Sequence, residues 1–265
     1  MAEAATMVTA PRVLILRTAG TNCDQETKFA FERAKASVDL LHVNALVANP
    51  SQLNEYAIFV LPGGFSYGDD LGAGRVLANE LKMKLGETLQ QFVEKGRLVL
   101  GICNGFQVLV KTGLLPGGGE DQQRATLTFN DSHRFEDRWV HLRIGSTLSP
   151  FFQEEDTIYL PVAHGEGKFV PRDDAMLQSL IDNKQIVAQY VDPEGNSAGY
   201  PHNPNGSTAD IAAICDPTGR VLGMMPHPER HVLPIQHPRW TREGLKPDGD
   251  GATLFLNAVN YAQGL

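Results

Sequence analysis

Alternating strand and helix signals predict an α/β fold: an open, mostly parallel sheet with helices on both faces and a mixed or antiparallel extension. Three observations lead there. Strand candidates such as Arg12-Val-Leu-Ile-Leu-Arg17 and Leu98–Ile102 are apolar on both faces, as in a sheet covered on each side. In the first half, helical patterns separate the strands and supply the crossovers that parallel pairing needs. After Gly117-Gly118-Gly119 strand candidates follow one another with few helices between them, which marks the extension.

Taken in order, Met1–Pro11 reads as a disordered lead, without the basic region and apolar core of a signal peptide, and residues 12–265 as one domain. Arg12–Arg17 is the first strand, followed by a loop at Thr18–Asn22 and a helix near Cys23–Lys35. Val38–Val43 and Ala57–Leu61 are the next strands, the latter ending at Pro62-Gly63-Gly64. A long helix over Val76–Lys95 carries Leu77, Leu81, Leu85, Leu89 and Val93 on one stripe, and Gly96 stops it. Leu98–Ile102 is the fourth strand. Beyond the glycines, Arg124–Phe129, Arg138–Ile144 and Thr157–Val162 are strands of the extension, Asp174–Ile181 a helix, and Ile186–Val191, Ile211–Cys215 and Val221–Met225 further strands. Asp192–Gly206 and Pro234–Gly251 are loops, and Asp250–Ala262 is the closing helix.

Composition narrows the function classes. The 265 residues are 42% hydrophobic and 20% charged, which suits an ordinary globular protein with a sizeable core. A net charge of −8 without a basic block argues against nucleic acid as partner. No apolar run reaches membrane-spanning length. Three widely spaced cysteines fit a reducing compartment, and the cytoplasm is the expected location.

The chemistry centres on Gly101-Ile-Cys-Asn-Gly105. A strand running into Gly-x-Cys-x-Gly and then a helix has the form of a nucleophile elbow, with Cys103 as nucleophile. The alternative is a buried core cysteine. A helix N-terminus favours the thiolate. A base is supplied by Met225-Pro-His-Pro-Glu-Arg230: Pro228 holds His227 extended, and Glu229, two residues on, falls on the same side to accept from its imidazole. The plain alternative is a solvated proline-rich turn. Backbone N–H groups of Gly63, Gly64 and Phe65, with that of Asn104, form the expected oxyanion hole. Gly64-Phe-Ser66-Tyr-Gly68 offers a second Gly-x-Ser-x-Gly, but its surroundings suit an elbow less well. His164 lies in a glycine-flexed polar loop, lining the site or a partner surface, or simply solvated. Cys23 and Cys215 read as structural; His42, His133, His141, His202, His231 and His237 show no close metal-ligand spacing with Cys or carboxylates, so no metal site is expected, and no phosphate loop occurs.

Together, Gly101-Ile-Cys-Asn-Gly-Phe-Gln107 and Pro226-His-Pro-Glu229 resemble the triad-type (class I) glutamine amidotransferases. Several further stretches narrow the resemblance to the glutaminase subunits of phosphoribosylformylglycinamidine synthases. These are Leu61-Pro-Gly-Gly-Phe-Ser-Tyr-Gly-Asp69, Asn130-Asp-Ser132, Arg134-Phe135, Arg138-Trp-Val140, Ala163-His-Gly-Glu-Gly-Lys-Phe169, Asn203-Pro-Asn-Gly-Ser207 and Gly223-Met-Met-Pro-His-Pro-Glu-Arg230. Asp70 and Gly72 depart from that pattern, and His231–Gly249 is longer than usual for it.

The resemblance implies a flavodoxin-like fold, Cys103, His227 and Glu229 as the triad, and Gln107 beside bound L-glutamine. It implies hydrolysis of glutamine to glutamate and ammonia through a thioester. The ammonia would pass to a synthetase subunit that converts formylglycinamide ribonucleotide to its amidine, with a small bridging subunit completing the complex. ATP and Mg would be used by that synthetase, and this chain would need no cofactor. Other readings are an amidotransferase for a different acceptor, a stand-alone cysteine hydrolase, or a docking subunit with a decayed site.

Overall fold

Strands buried on both faces form the middle of the molecule, and their order places every candidate site residue near one edge. A computed structural model describes residues 10–117, 123–145, 148–152 and 157–265; the first nine residues of the expected lead lie outside these. In chain order, β1 (Arg12–Arg17) is followed by α1 (Asp24–Arg33), β2 (Ser37–His42), a short α2 (Val43–Ala48), β3 (Ile58–Leu61), α3 (Arg75–Glu94), β4 (Leu98–Ile102) and α4 (Asn104–Thr112). The second half adds β5 (Ala125–Thr128), β6 (Glu136–Ile144), β7 (Ile158–His164), β8 (Lys168–Pro171), α5 (Asp174–Asp182), β9 (Ile186–Val191), β10 (Ile211–Cys215), β11 (Val221–Met224), a one-turn α6 (Trp240–Glu243) and α7 (Ala252–Ala262).

Nine strands pair in the order β2-β1-β3-β4-β11-β10-β9-β6-β7. The pairings from β2 through β11 are parallel, and those from β11 through β7 are antiparallel. The expected parallel sheet and its extension are thus one continuous sheet. Its centre is apolar throughout: every residue of β3, β4, β10 and β11 is buried. On α3 the leucine stripe is buried as expected from Leu77 to Leu89, while Phe92 rather than Val93 completes it. Glycine at 101 in β4, opposite Leu61 and Gly223, thins the sheet where α4 packs down on it.

Three local expectations change. The strand over Arg124–Phe129 does not join the extension; it pairs with β8, which the pattern missed, as a separate two-stranded sheet. Val43 opens a helix rather than ending a strand, because the His42 side chain caps it by accepting from the Asn44 N–H, and Val43 and Leu46 are buried. The long stretch after His231 wraps the outer strand: His231 Nδ1 donates to the Tyr159 carbonyl (2.8 Å), and the Tyr159 N–H donates to Asp250 (2.9 Å). The rings of Trp139, Tyr159, His231 and His237 pack together over it at centroid distances of 5.0–6.0 Å. The segment therefore covers an otherwise open sheet edge. Among the described residues no helix is long and apolar enough to cross a membrane.

Candidate active site

Cys103 sits at the junction of β4 and α4 with φ 51° and ψ −106°, a backbone state that a residue with a Cβ adopts at a cost of order 1–3 kcal/mol. The neighbours hold it there. Its N–H donates to the Met224 carbonyl (2.7 Å), and its carbonyl accepts the first helical bond from Gln107 (3.1 Å). A Cβ on Gly105 would lie 1.9 Å from the Leu61 carbonyl oxygen, and one on Gly101 would lie 2.5 Å from the Leu109 side chain. Both elbow glycines are required by close approach, as their spacing predicts. The Cys103 thiol, 6% exposed, faces the Ala163 carbonyl oxygen at 3.6 Å.

His227 and Glu229 follow β11, the strand beside β4. His227 (φ −104°, ψ 88°) is outside the helical region but short of a regular extended conformation, and Glu229 lies in a 3₁₀ turn over Pro228–Arg230 rather than in an extended segment. The pairing was expected from an extended geometry; a proline-initiated turn delivers it instead. Nδ1 of His227 is 2.6 Å from Oε1 of Glu229, with side chains 2% and 0% exposed. An ionised carboxylate only accepts, so the proton sits on Nδ1, and Nε2 is left buried with no hydrogen-bond partner. Burial opposes protonation of this ring, yet the charge of Glu229, with charge and hydrogen-bonding contributions from Cys103, raises the His227 pKa well above its ordinary value. The thiol of the elbow and the imidazole downstream therefore share one site.

The Pro62-Gly63-Gly64 turn at the end of β3 closes the site on a third side. A Cβ on Gly63 would stand 2.8 Å from Cε1 of His227, so only glycine lets the loop touch the ring. The Phe65 N–H does not serve the expected oxyanion hole, because it donates to the Gly20 carbonyl (2.9 Å) in an antiparallel bridge between the loops after β1 and β3. Ser66, the other candidate nucleophile, lies in a 3₁₀ turn rather than at a strand-to-helix elbow.

The profile of the CobB/CobQ-like glutamine amidotransferase domain matches residues 10–262. The phosphoribosylformylglycinamidine synthase subunit PurQ of Dehalococcoides mccartyi is 52% identical, over 95% of this chain and 98% of that protein. The subunit of the same name from Archaeoglobus fulgidus is 41% identical, over 96% and 98%. Among solved structures, that of PurLQS from Thermotoga maritima superposes with a TM-score of 0.72 at 30% identity, over 95% of this chain and 99% of that one.

The chain belongs to the glutamine amidotransferase family.

Within this amidotransferase, Gln107 and Asn104 act as braces. Gln107 is buried, with Nε2 donating to the Glu166 carbonyl (2.6 Å) and Oε1 accepting from Asn104 Nδ2 (2.9 Å). Asn104 also accepts from the Ser66 N–H (3.2 Å) and donates to Asp69 (3.1 Å). These bonds tie the loops after β3 and β7 to the start of α4. His164 is buried, and its Nδ1 donates to Asn130 Oδ1 (3.1 Å), which also accepts the Gly167 N–H. Burial, with a contribution from nearby His227, pushes the His164 pKa down to about 3, so it is neutral. His164 therefore ends strand β7 with its ring packed inside, rather than standing in a solvated loop.

Sequence reasoning missed Cys23. Its N–H donates to the Gly63 carbonyl (3.2 Å), and its sulfur lies 4.0 Å from Nδ1 of His227. The available signal was topological: Cys23 follows β1, so it emerges on the same sheet edge as the β3 loop and the elbow. The sulfur, His227 Nδ1 and a Glu229 oxygen lie within 4.8 Å of one another, the one such trio among the described residues. The Arg230 guanidinium, 3.1 Å from the sulfur, already brings a positive charge to this trio.

Proposed function

We propose that this chain is the glutaminase subunit of a phosphoribosylformylglycinamidine synthase, with Cys103 as nucleophile, His227 as acid–base and Glu229 as its orienting carboxylate. The observation that carries the reading is the buried Nδ1–Oε1 pairing of His227 and Glu229 beside a cysteine held at positive φ. The Cys103 thiolate attacks the amide carbon of L-glutamine, and the N–H groups of Asn104 and of the Gly63–Gly64 turn receive the oxyanion. His227 protonates the departing ammonia, leaving a glutamyl thioester. It then takes a proton from water, which attacks the thioester to give glutamate and the free thiol.

Residues 12–265 form the catalytic domain in this reading, working in the cytoplasm. Ammonia passes to the synthetase subunit for conversion of formylglycinamide ribonucleotide to its amidine. ATP and Mg act on that subunit, and a small bridging subunit joins the two. The testing experiment measures ammonia release from glutamine by wild type and Cys103→Ala, with and without the synthetase. Wild-type release that disappears in Cys103→Ala is expected; equal release from both would overturn the assignment.

A further inference from the structure

Two sulfurs, not one, approach the His227 ring. Cys103 is the thiol the reaction uses. Cys23 is 1% exposed and lies along the Nδ1 edge, where Glu229 also binds. Its contacts are specific: the thiol donates to Asn22 Oδ1 (3.1 Å) and accepts from Arg230 Nη2 (3.1 Å). Around it the backbone is fixed. The Thr27 hydroxyl donates to the Cys23 carbonyl (2.6 Å), and a Cβ on Gly63 would lie 3.1 Å from the sulfur. Sulfur, ring and Gly63 are therefore packed against one another without slack.

Charge gives the arrangement a purpose. Glu229 is a buried carboxylate with one oxygen, Oε2, lacking a hydrogen-bond partner. A buried charge held on one side only is costly. Arg230, the next residue, brings a guanidinium to the same place, and it reaches the site by binding the Cys23 sulfur. A polarisable sulfur suits this contact: it accepts from the guanidinium while presenting a bulky, soft surface to the ring.

The geometry points to Cys23 as a positioning residue for glutamine hydrolysis, which with Arg230 backs the His227 ring and keeps its Nε2 presented to Cys103. The inference rests on the proposed glutaminase reading. Cys23 acts through His227 and forms no covalent bond in the reaction. Burial raises the Cys23 pKa, so the group is a neutral thiol rather than a competing thiolate. The charged and titratable groups around the ring are Glu229 and Arg230 from the turn after β11, Cys103 from the elbow, Cys23 from the start of α1 and His164 from the end of β7.

The test compares wild type, Cys23→Ala, Cys23→Ser, Arg230→Gln and the double variant Cys23→Ala/Arg230→Gln, each assembled with its synthetase. Steady-state glutaminase kinetics are followed against pH, and each variant's melting temperature is recorded. Cys23→Ala lowers kcat about tenfold with KM for glutamine within about twofold, since ring placement serves the transition state more than ground-state binding. Cys23→Ser, which keeps a donor and an acceptor, recovers most of that loss. The double variant is no worse than the poorer single one, because both act on one unit. The alkaline limb of kcat moves to lower pH in Cys23→Ala, a shift that simple destabilisation does not produce. A Cys23→Ala enzyme with wild-type kcat and an unmoved limb would overturn the inference. So would equal losses in Ala and Ser that follow melting temperature alone. A wild-type complex that releases no ammonia from glutamine would instead overturn the glutaminase reading itself.

Discussion

The imidazole of His227 and the carboxylate of Glu229 are paired at 2.6 Å, two residues apart in sequence and both shut away from water. The carboxylate holds the ring and favours its protonated form, against the opposing effect of burial. Glu229→Gln keeps an acceptor for Nδ1–H but removes the charge. Its kcat should fall by about 10²–10⁴, the range expected when a triad loses its anionic member. Its alkaline limb should move to lower pH, because the imidazolium is less favoured. Ammonia release followed from about pH 6 to about pH 10, a range that spans the loss of the imidazolium, checks both. A variant with wild-type kcat would show that the pairing has no part in turnover.

The backbone of Cys103 makes a separate prediction, about stability. At φ 51° a Cβ is strained whatever atom follows it, so Ala and Cys carry the same burden and Gly is free of it. Both Cys103→Ala and Cys103→Gly should be inactive. Cys103→Gly should be the more stable of the two by about 1 kcal/mol, after allowing for glycine's larger unfolded-state entropy. Urea denaturation of the two variants decides it, and a less stable glycine variant would mean that the elbow stores no strain.

Much of this was legible in the amino-acid order because the relevant signals are local. Apolar runs gave β1, β4, β9 and β10 their ends, and the glycine spacing around Cys103 gave the elbow. His227 and Glu229 are near neighbours in sequence, so their pairing could be inferred before the turn that makes it was known. What escaped depended on distant partners. β8 is four residues long and becomes a strand only by pairing with β5. The Phe65 N–H is taken by the Gly20 carbonyl, a partner more than forty positions away that no local pattern announces. Cys23 lacked a constellation in sequence because its partners are more than two hundred positions away.

Two glycines, both crowded, should fail in different ways. At Gly105 an added Cβ meets main chain, 1.9 Å from the Leu61 carbonyl oxygen, which cannot step aside without moving β3. Gly105→Ala should lose about 3 kcal/mol or more, or not accumulate as folded protein. At Gly63 the nearest atom is Cε1 of His227, 2.8 Å away. A side chain can yield where a strand cannot, but here it is the candidate base that yields. Gly63→Ala should therefore retain most of its stability while losing glutaminase activity about a hundredfold, by displacement of the ring. Melting temperature and kcat measured on the same preparations separate the two cases; a Gly63→Ala enzyme of full activity would show that the ring tolerates the shift.

The buried His164 links the fold to pH. Its folded pKa is about 3, against an ordinary 6.5, because burial disfavours the imidazolium. Below pH 6.5 the unfolded chain takes up a proton at this position that the folded chain refuses. The neutral ring's contribution is therefore complete above pH 6.5 and is lost progressively as pH falls toward 3. His227 works in the other direction and in another window: its raised pKa gives stability that is complete below pH 6.5 and is lost as pH rises through its folded value. From pH 7.5 to pH 5 the His164 contribution alone should lower folding stability by about 2 kcal/mol. His164→Gln, which cannot titrate, should remove that part of the slope, although it also lowers stability at both pH values by disturbing the bond to Asn130. Urea midpoints for wild type and variant at the two pH values give the comparison. A variant that keeps the wild-type slope would assign the acid sensitivity to groups other than His164.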